Sequence, residues 1–292
     1  MAESSISVDL FNSGQVFACL GFLEAADVLC GDAEGGFDWG DEVEVRFCLR
    51  AGGEQNPFEA VMEFLARAEV KAVVPQGWRP KKEPTKAKDK EKLEQELCQQ
   101  EQSEVFPAAS PETNSAMPIQ LTDGKKRIVL GHWADGSSRN EFKLYAGNRS
   151  ALGIATAMQE GIARIWKKQQ NNLIERPFGI TTPMAGSFNF DPRGAWTPID
   201  AGYSPNEQKH RVAASPFVEI LAAWGLENAR PDEFETRKVR YAAWGVTLPP
   251  VLARVALIGR VSTVPMKQFR FELDMSGKNK VTTFAEQETI HD

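Results

Sequence analysis

Aromatic rings and cationic heads spaced a few residues apart suit a single-stranded nucleic acid, because bases stack on the rings and phosphates pair with the cations. The stretch from Arg176 to Val212 has that composition. Phe178, Phe188, Phe190, Trp196 and Tyr203 are interleaved with Arg193, Lys209, His210 and Arg211. Five prolines and four glycines run through it, so turns and side-chain contacts must hold it in place of a helix or strand. An ordered loop of this length is either functional or gives its aromatics to the core, and the sequence leaves both open. Asp191, Asp200 and Glu207 in the same loop are carboxylates that a hydrolase or nuclease would set on either side of a substrate. No second motif fixes a distance between them, and exposed loop carboxylates are common. A further cationic group, Lys143, Asn148 and Arg149, stands just before a helix predicted to begin near Ser150. Unpaired N–H groups and the positive dipole end at such a position stabilise a phosphate. The expectation is that Lys143, Asn148, Arg149, Arg193, Trp196, Tyr203, Lys209, His210 and Arg211 form one RNA-binding surface. His132, beside Trp133 at the end of a predicted strand, is either an RNA-contacting or catalytic residue or a structural one.

The remaining inventory favours binding over catalysis. There is no GxSxG, HExxH or Cys–His nucleophile signature, and AGNRSALG is neither a GxGxxG nor a P-loop. The chain has three histidines, none with a metal-ligand neighbour at useful spacing, so neither metal nor cofactor is expected. Its four cysteines lack CxxC spacing, which fits a reducing cytoplasm. No apolar run approaches the ~20 residues of a membrane span, and MAESSISVDLF lacks the apolar core of a signal peptide. A cytoplasmic protein with no membrane partner is expected. Of the 292 residues, 42% are hydrophobic and 25% charged, as in a soluble globular chain.

The net charge of −6 conceals a segregation along the chain. Residues 1–124 hold 11 Lys/Arg against 23 Asp/Glu, residues 125–176 hold 10 against 4, and the remainder is balanced at 13 of each. A local basic surface can attract a polyanion on an acidic protein, since fields between exposed charges fade within a Debye length of ~8 Å.

The elements that must position these residues follow from pattern. Ile6–Leu10 alternates as a first strand, and Asn12 or Ser13 caps a helix whose apolar face carries Val16, Cys19, Leu20 and Leu23. Gly31–Gly40 is expected as a turn region, followed by a strand on Val43, Val45, Phe47 and Leu49. Asn56-Pro57 opens another helix. Residues 79–118, Lys- and Glu-rich and then Pro- and Ser-rich, are expected as a charged flexible insertion, either a mobile arm on nucleic acid or a solvated excursion. KRIVLGHW reads as a strand. The helix from Ala151 carries an apolar stripe on Ile154, Ala155, Met158, Ile162 and Ile165. PFVEILAAWGL reads as a buried helix, Val239–Val246 as a strand, and the C-terminus as a closing hairpin around Ser276–Asn279. One α+β domain over residues 1–292 is the expected architecture.

VDLFNSGQVFACLGFLEAADVL, FKLYAGNRSALGIATAMQ, and FDPRGAWTPIDAGYSPNEQ followed by SPFVEILAAWGL resemble accessory subunits encoded in type I-U (I-G) CRISPR loci. These belong to the RAMP superfamily of RRM-like proteins, related to the backbone subunits of Cascade-type complexes. The resemblance spans most of the chain in order, omitting 79–118. It implies an RRM/ferredoxin-like antiparallel sheet core with helices on one face, elaborated by long loops and a C-terminal hairpin, with Val8 on the first strand and Phe17–Leu29 on the helix behind it. It implies a non-enzymatic CRISPR-associated protein in antiviral defence that binds guide RNA (crRNA, a single-stranded RNA) or scaffolds the surveillance complex with other effector subunits. A protein–protein adaptor docking effector and nuclease subunits, or a nuclease, are the alternatives. The glycine-rich loop of other RAMP proteins is not evident near this C-terminus, which separates the resemblance from RNA processing.

Overall fold

The computed structural model describes residues 1–41, 43–78, 99–104, 116–134, 142–145, 149–184, 186–194, 213–259, 261, 263–276 and 279–288. The chain is α+β, with mainly antiparallel sheets of three, four and five strands around two buried helices.

β1 (Ala2–Ser7) leads into α1 (Ser13–Cys30), and Asn12 caps it as expected, its side-chain oxygen accepting the Gln15 N–H at 3.1 Å. Val8 lies just past β1, where its N–H donates to the Val45 carbonyl. β2 (Glu34–Asp38) and β3 (Arg46–Ala51) complete a sheet of order β1-β3-β2. β2 occupies the segment expected as a turn. Its glycines are there for close approach: a Cβ on Gly36 would stand 2.1 Å from the Val246 carbonyl oxygen, and the Trp244 indole donates to the Gly35 carbonyl at 2.8 Å. Val43, expected on the following strand, lies outside it and is exposed.

α2 (Pro57–Arg67) starts on the Asn56 cap and is followed by β4 (Glu69–Pro75). β4 belongs to a second sheet, of order β5-β4-β6-β7, with β5 (Gln100–Ser103), β6 (Ile119–Thr122) and β7 (Arg127–Leu130). β5 lies within the 79–118 span and runs parallel to β4, and Met117 is buried against Ala72 and Val74. That span therefore contributes to the fold at its described residues. The apolar stripe of α3 (Ala151–Glu175) is buried as expected, on Ala151, Ile154, Ala155, Met158 and Ile162.

α4 (Pro216–Asn228), capped by Ser215, crosses α1 with backbones in near contact. A Cβ on Gly21 would sit 1.9 Å from the Leu221 carbonyl oxygen, and one on Gly225 2.3 Å from that of Phe17. α1 is apolar and long enough to match a membrane crossing by composition, yet 78% of it is buried inside the protein, the pattern of a core helix. The C-terminal sheet joins β8 (Asp232–Glu235), β9 (Lys238–Trp244), β10 (Met266–Ser276), β11 (Asn279–Thr282) and β12 (Glu286–Glu288). The expected hairpin is present, with Ser276 opposite Asn279. α5 (Pro250–Leu257) is tied to α1 through Arg254, which donates to both carboxylate oxygens of Glu24 at 2.6 and 2.7 Å.

Candidate nucleic-acid interface

Three of the five aromatics in the central loop are core residues. Phe178, Phe188 and Phe190 are buried; Phe188 stacks on Trp133 at 5.1 Å between centroids, and Phe190 on Phe142 at 6.1 Å. Their role is packing, the plainer of the two readings the loop allowed. Trp196 and Tyr203 lie outside the described residues, as do Asn148, Lys209, His210, Arg211, Asp200 and Glu207.

Arg193 sits on a 3-10 turn (Pro192–Gly194), with its guanidinium spent inside the fold. Nε lies 2.9 and 3.1 Å from the two Asp191 carboxylate oxygens, Nη2 is 2.6 Å from Oδ2, and Nη1 donates to the Phe178 carbonyl at 2.8 Å. Asp191, 1% exposed, also accepts from Asn12 Nδ2 at 3.1 Å and from the Ser215 N–H at 3.3 Å. One carboxylate thus joins the N-cap residues of α1 and α4 to the loop, where both helix dipoles favour negative charge. Using Arg193 for a phosphate would strip a buried carboxylate of its counter-ion, and using Asp191 as a nuclease ligand would dismantle the junction.

Glu219 belongs to this junction, although its type drew no attention in the sequence. Its Oε1 accepts the Asp191 N–H at 2.9 Å, and the residue is fully buried. Burial above all, with the Asp191 charge added, pushes its carboxyl up to about 7 against the pull of the backbone hydrogen bonds. The available signal was the single acid in the apolar run Pro216–Leu226.

His132 is buried on a 3-10 turn (His132–Ala134), its ring edge-on to Trp133 at 4.8 Å and its Nδ1 3.9 Å from a Glu227 carboxylate oxygen. That oxygen also accepts the N–H groups of Gly131 and His132, at 2.6 and 2.7 Å. This is structural placement. Lys143 lies over the Tyr145 ring at 4.4 Å and donates to the Tyr145 carbonyl at 3.1 Å. Arg149 is half-buried immediately before Ser150, whose hydroxyl accepts the Gly153 N–H at the start of α3.

Cations do gather elsewhere, on the polar face of the β5-β4-β6-β7 sheet. Register sets that face: Lys71 lies opposite Gln120, and Thr122 is flanked by Glu69 on β4 and Arg127 on β7. The alternate residues Ile119, Leu121, Ile128 and Leu130 face the core. A four-residue turn, Asp123–Lys126, joins β6 to β7. The Asp123 carboxylate accepts the N–H groups of Lys125 and Lys126 at 2.9 and 2.8 Å, which holds its pKa below the usual value. The turn overhangs a cleft of 420 Å³ lined by Arg67, Lys71, Lys125, Lys126 and Arg127, with Glu69, Glu101 and Asp123 among them.

Some of these cations are committed. Lys71 Nζ lies 3.7 Å from Glu101 and 3.9 Å from Glu69, Arg67 pairs with Glu63, and Lys126 donates to the Val28 carbonyl. Lys125 and Arg127 are exposed and form no ion pair among the described residues. At the cleft, Gln120 is 3% exposed, and its Oε1 meets no donor among the described residues. Sequence reading missed this site because its residues come from separate strands. The run Lys125-Lys126-Arg127 that opens the basic segment was its one visible signal. No family model, curated protein or solved structure matches the chain.

Proposed function

We propose that this chain is a non-enzymatic, cytoplasmic, RNA-binding subunit of a type I CRISPR effector, holding guide RNA within an assembly of other effector subunits. The observation that carries the RNA part is the cleft beneath the β6–β7 turn, where Lys125 in the turn and Arg127 on β7 stand exposed with no ion pair among the described residues. Such cations exchange counter-ions for phosphates and set both affinity and its salt dependence. The CRISPR part rests on the sequence resemblance. It is supported by the chain order β1-α1-β2-β3-α2 with strand order β1-β3-β2, the arrangement of three strands in an RRM/ferredoxin-like sheet.

Attachment to protein partners has its own support. α5 exposes Val251 (65%) and Leu252 (48%), with Val255 one turn beyond, an apolar surface suited to a neighbouring subunit. This favours a scaffold that contacts protein as well as RNA, and it keeps the pure adaptor as the second reading. A tagged chain expressed with its neighbouring genes should recover guide-length RNA together with effector subunits. Nuclease treatment before capture separates the readings. A subunit holding RNA loses the nucleic acid and part of its retinue, whereas a pure adaptor brings the same proteins and never any RNA.

A further inference from the structure

We propose that Gln120 reads the ribose 2′-hydroxyl, so that the cleft selects RNA over DNA; this rests on the RNA-binding reading above. Gln120 is centred on the polar sheet face, directly opposite Lys71 on β4 and Val129 on β7, and Arg127 lies diagonally across from it. Its amide is almost wholly withdrawn from water while its oxygen meets no donor among the described residues, and a buried polar atom without a partner is the exception in folded proteins. Lys71, the nearest cation by register, is drawn towards Glu69 and Glu101.

A phosphate does not supply what is missing, because its ionised oxygens bring no donor. A hydroxyl brings a donor and an acceptor together, so it serves whichever atom of the amide faces the cleft. Oε1 is enclosed as the side chain stands, and the last torsion of glutamine has a broad two-fold profile that lets the amide turn. Arg127 and Lys125 take the phosphate, and the sugar beside that phosphate then lies over Gln120. The 2′-hydroxyl is the group by which a protein distinguishes RNA from DNA at such a position.

The test compares fluorescence-anisotropy affinities of the full chain for one guide-length sequence made as RNA, as DNA and as 2′-fluoro RNA, which keeps an RNA-like sugar but has no 2′ O–H. The intact protein should prefer RNA to both others by roughly three- to tenfold, the worth of one neutral hydrogen bond. Gln120→Met should bring RNA down to the DNA level and leave DNA affinity unchanged. Equal affinity of the intact protein for all three oligonucleotides overturns the proposal and leaves RNA binding standing. So does a variant that weakens RNA and DNA alike. Absence of binding to any of them overturns both. The 2′-fluoro comparison needs no mutant, so poor folding of Gln120→Met cannot mask the answer.

Discussion

Glu219 is the residue whose chemistry is most displaced by its surroundings. Folded, its carboxyl titrates at about 7; a carboxyl free of the fold titrates near 4.5. Between these values the folded protein holds a proton that the unfolded chain has released, so stability falls as pH rises across the window and levels off above it. The difference corresponds to an effect on the order of 3 kcal/mol. Glu219→Gln keeps an oxygen for the Asp191 N–H and removes the ionisation. Chemical denaturation at pH 5 and pH 8 should therefore show a smaller decline for the variant than for the parent protein. Parallel declines would place the titration elsewhere. The Arg193–Asp191 pair makes a related point at the same scale: a cation in an aromatic loop carries an RNA contact only if no buried carboxylate has already claimed it.

At the level of elements, the parts readable in the sequence were those with a local physical cause. Asn12 and Asn56 cap their helices as side-chain acceptors, and Ile154, Met158 and Ile162 mark the buried face of α3 by period alone. β2 was hidden because Gly35 and Gly36 signal a turn locally, whereas the reason for them is Val246 and Trp244, some two hundred residues away. β5 was hidden because Gln100–Ser103 is polar and its partner is β4. Its placement divides the 79–118 span. Replacing residues 79–98 with a short Gly/Ser linker should leave the melting temperature nearly unchanged, since loop length costs only logarithmically and this Lys/Glu-rich sequence has little apolar area to bury. Replacing 79–118 removes β5 and Met117 and should lower it by several degrees. Equal melting curves for the two deletions would mean that β5 adds nothing to the sheet.

On the scale of the molecule, an acidic chain presents a cationic cleft, and the sequence located its charge without locating its shape. The excess of ten Lys/Arg over four Asp/Glu in residues 125–176 was legible, and Lys125 and Arg127 open that segment. Lys71 and Gln120 were not, since only the register of β4 against β6 places them opposite each other. The most direct measurement is the salt dependence of binding to guide-length single-stranded RNA, compared for the parent protein and for Lys125→Ala combined with Arg127→Ala. Each phosphate contact on a single strand adds about 0.7 to the slope of log affinity against log salt, so the double variant should bind more weakly with a slope lower by roughly 1.4. Its melting temperature should not move, because both side chains are exposed and make no ion pair among the described residues. The same affinity and slope for both proteins, or no affinity for RNA in the parent, would contradict an RNA-binding cleft at this sheet face.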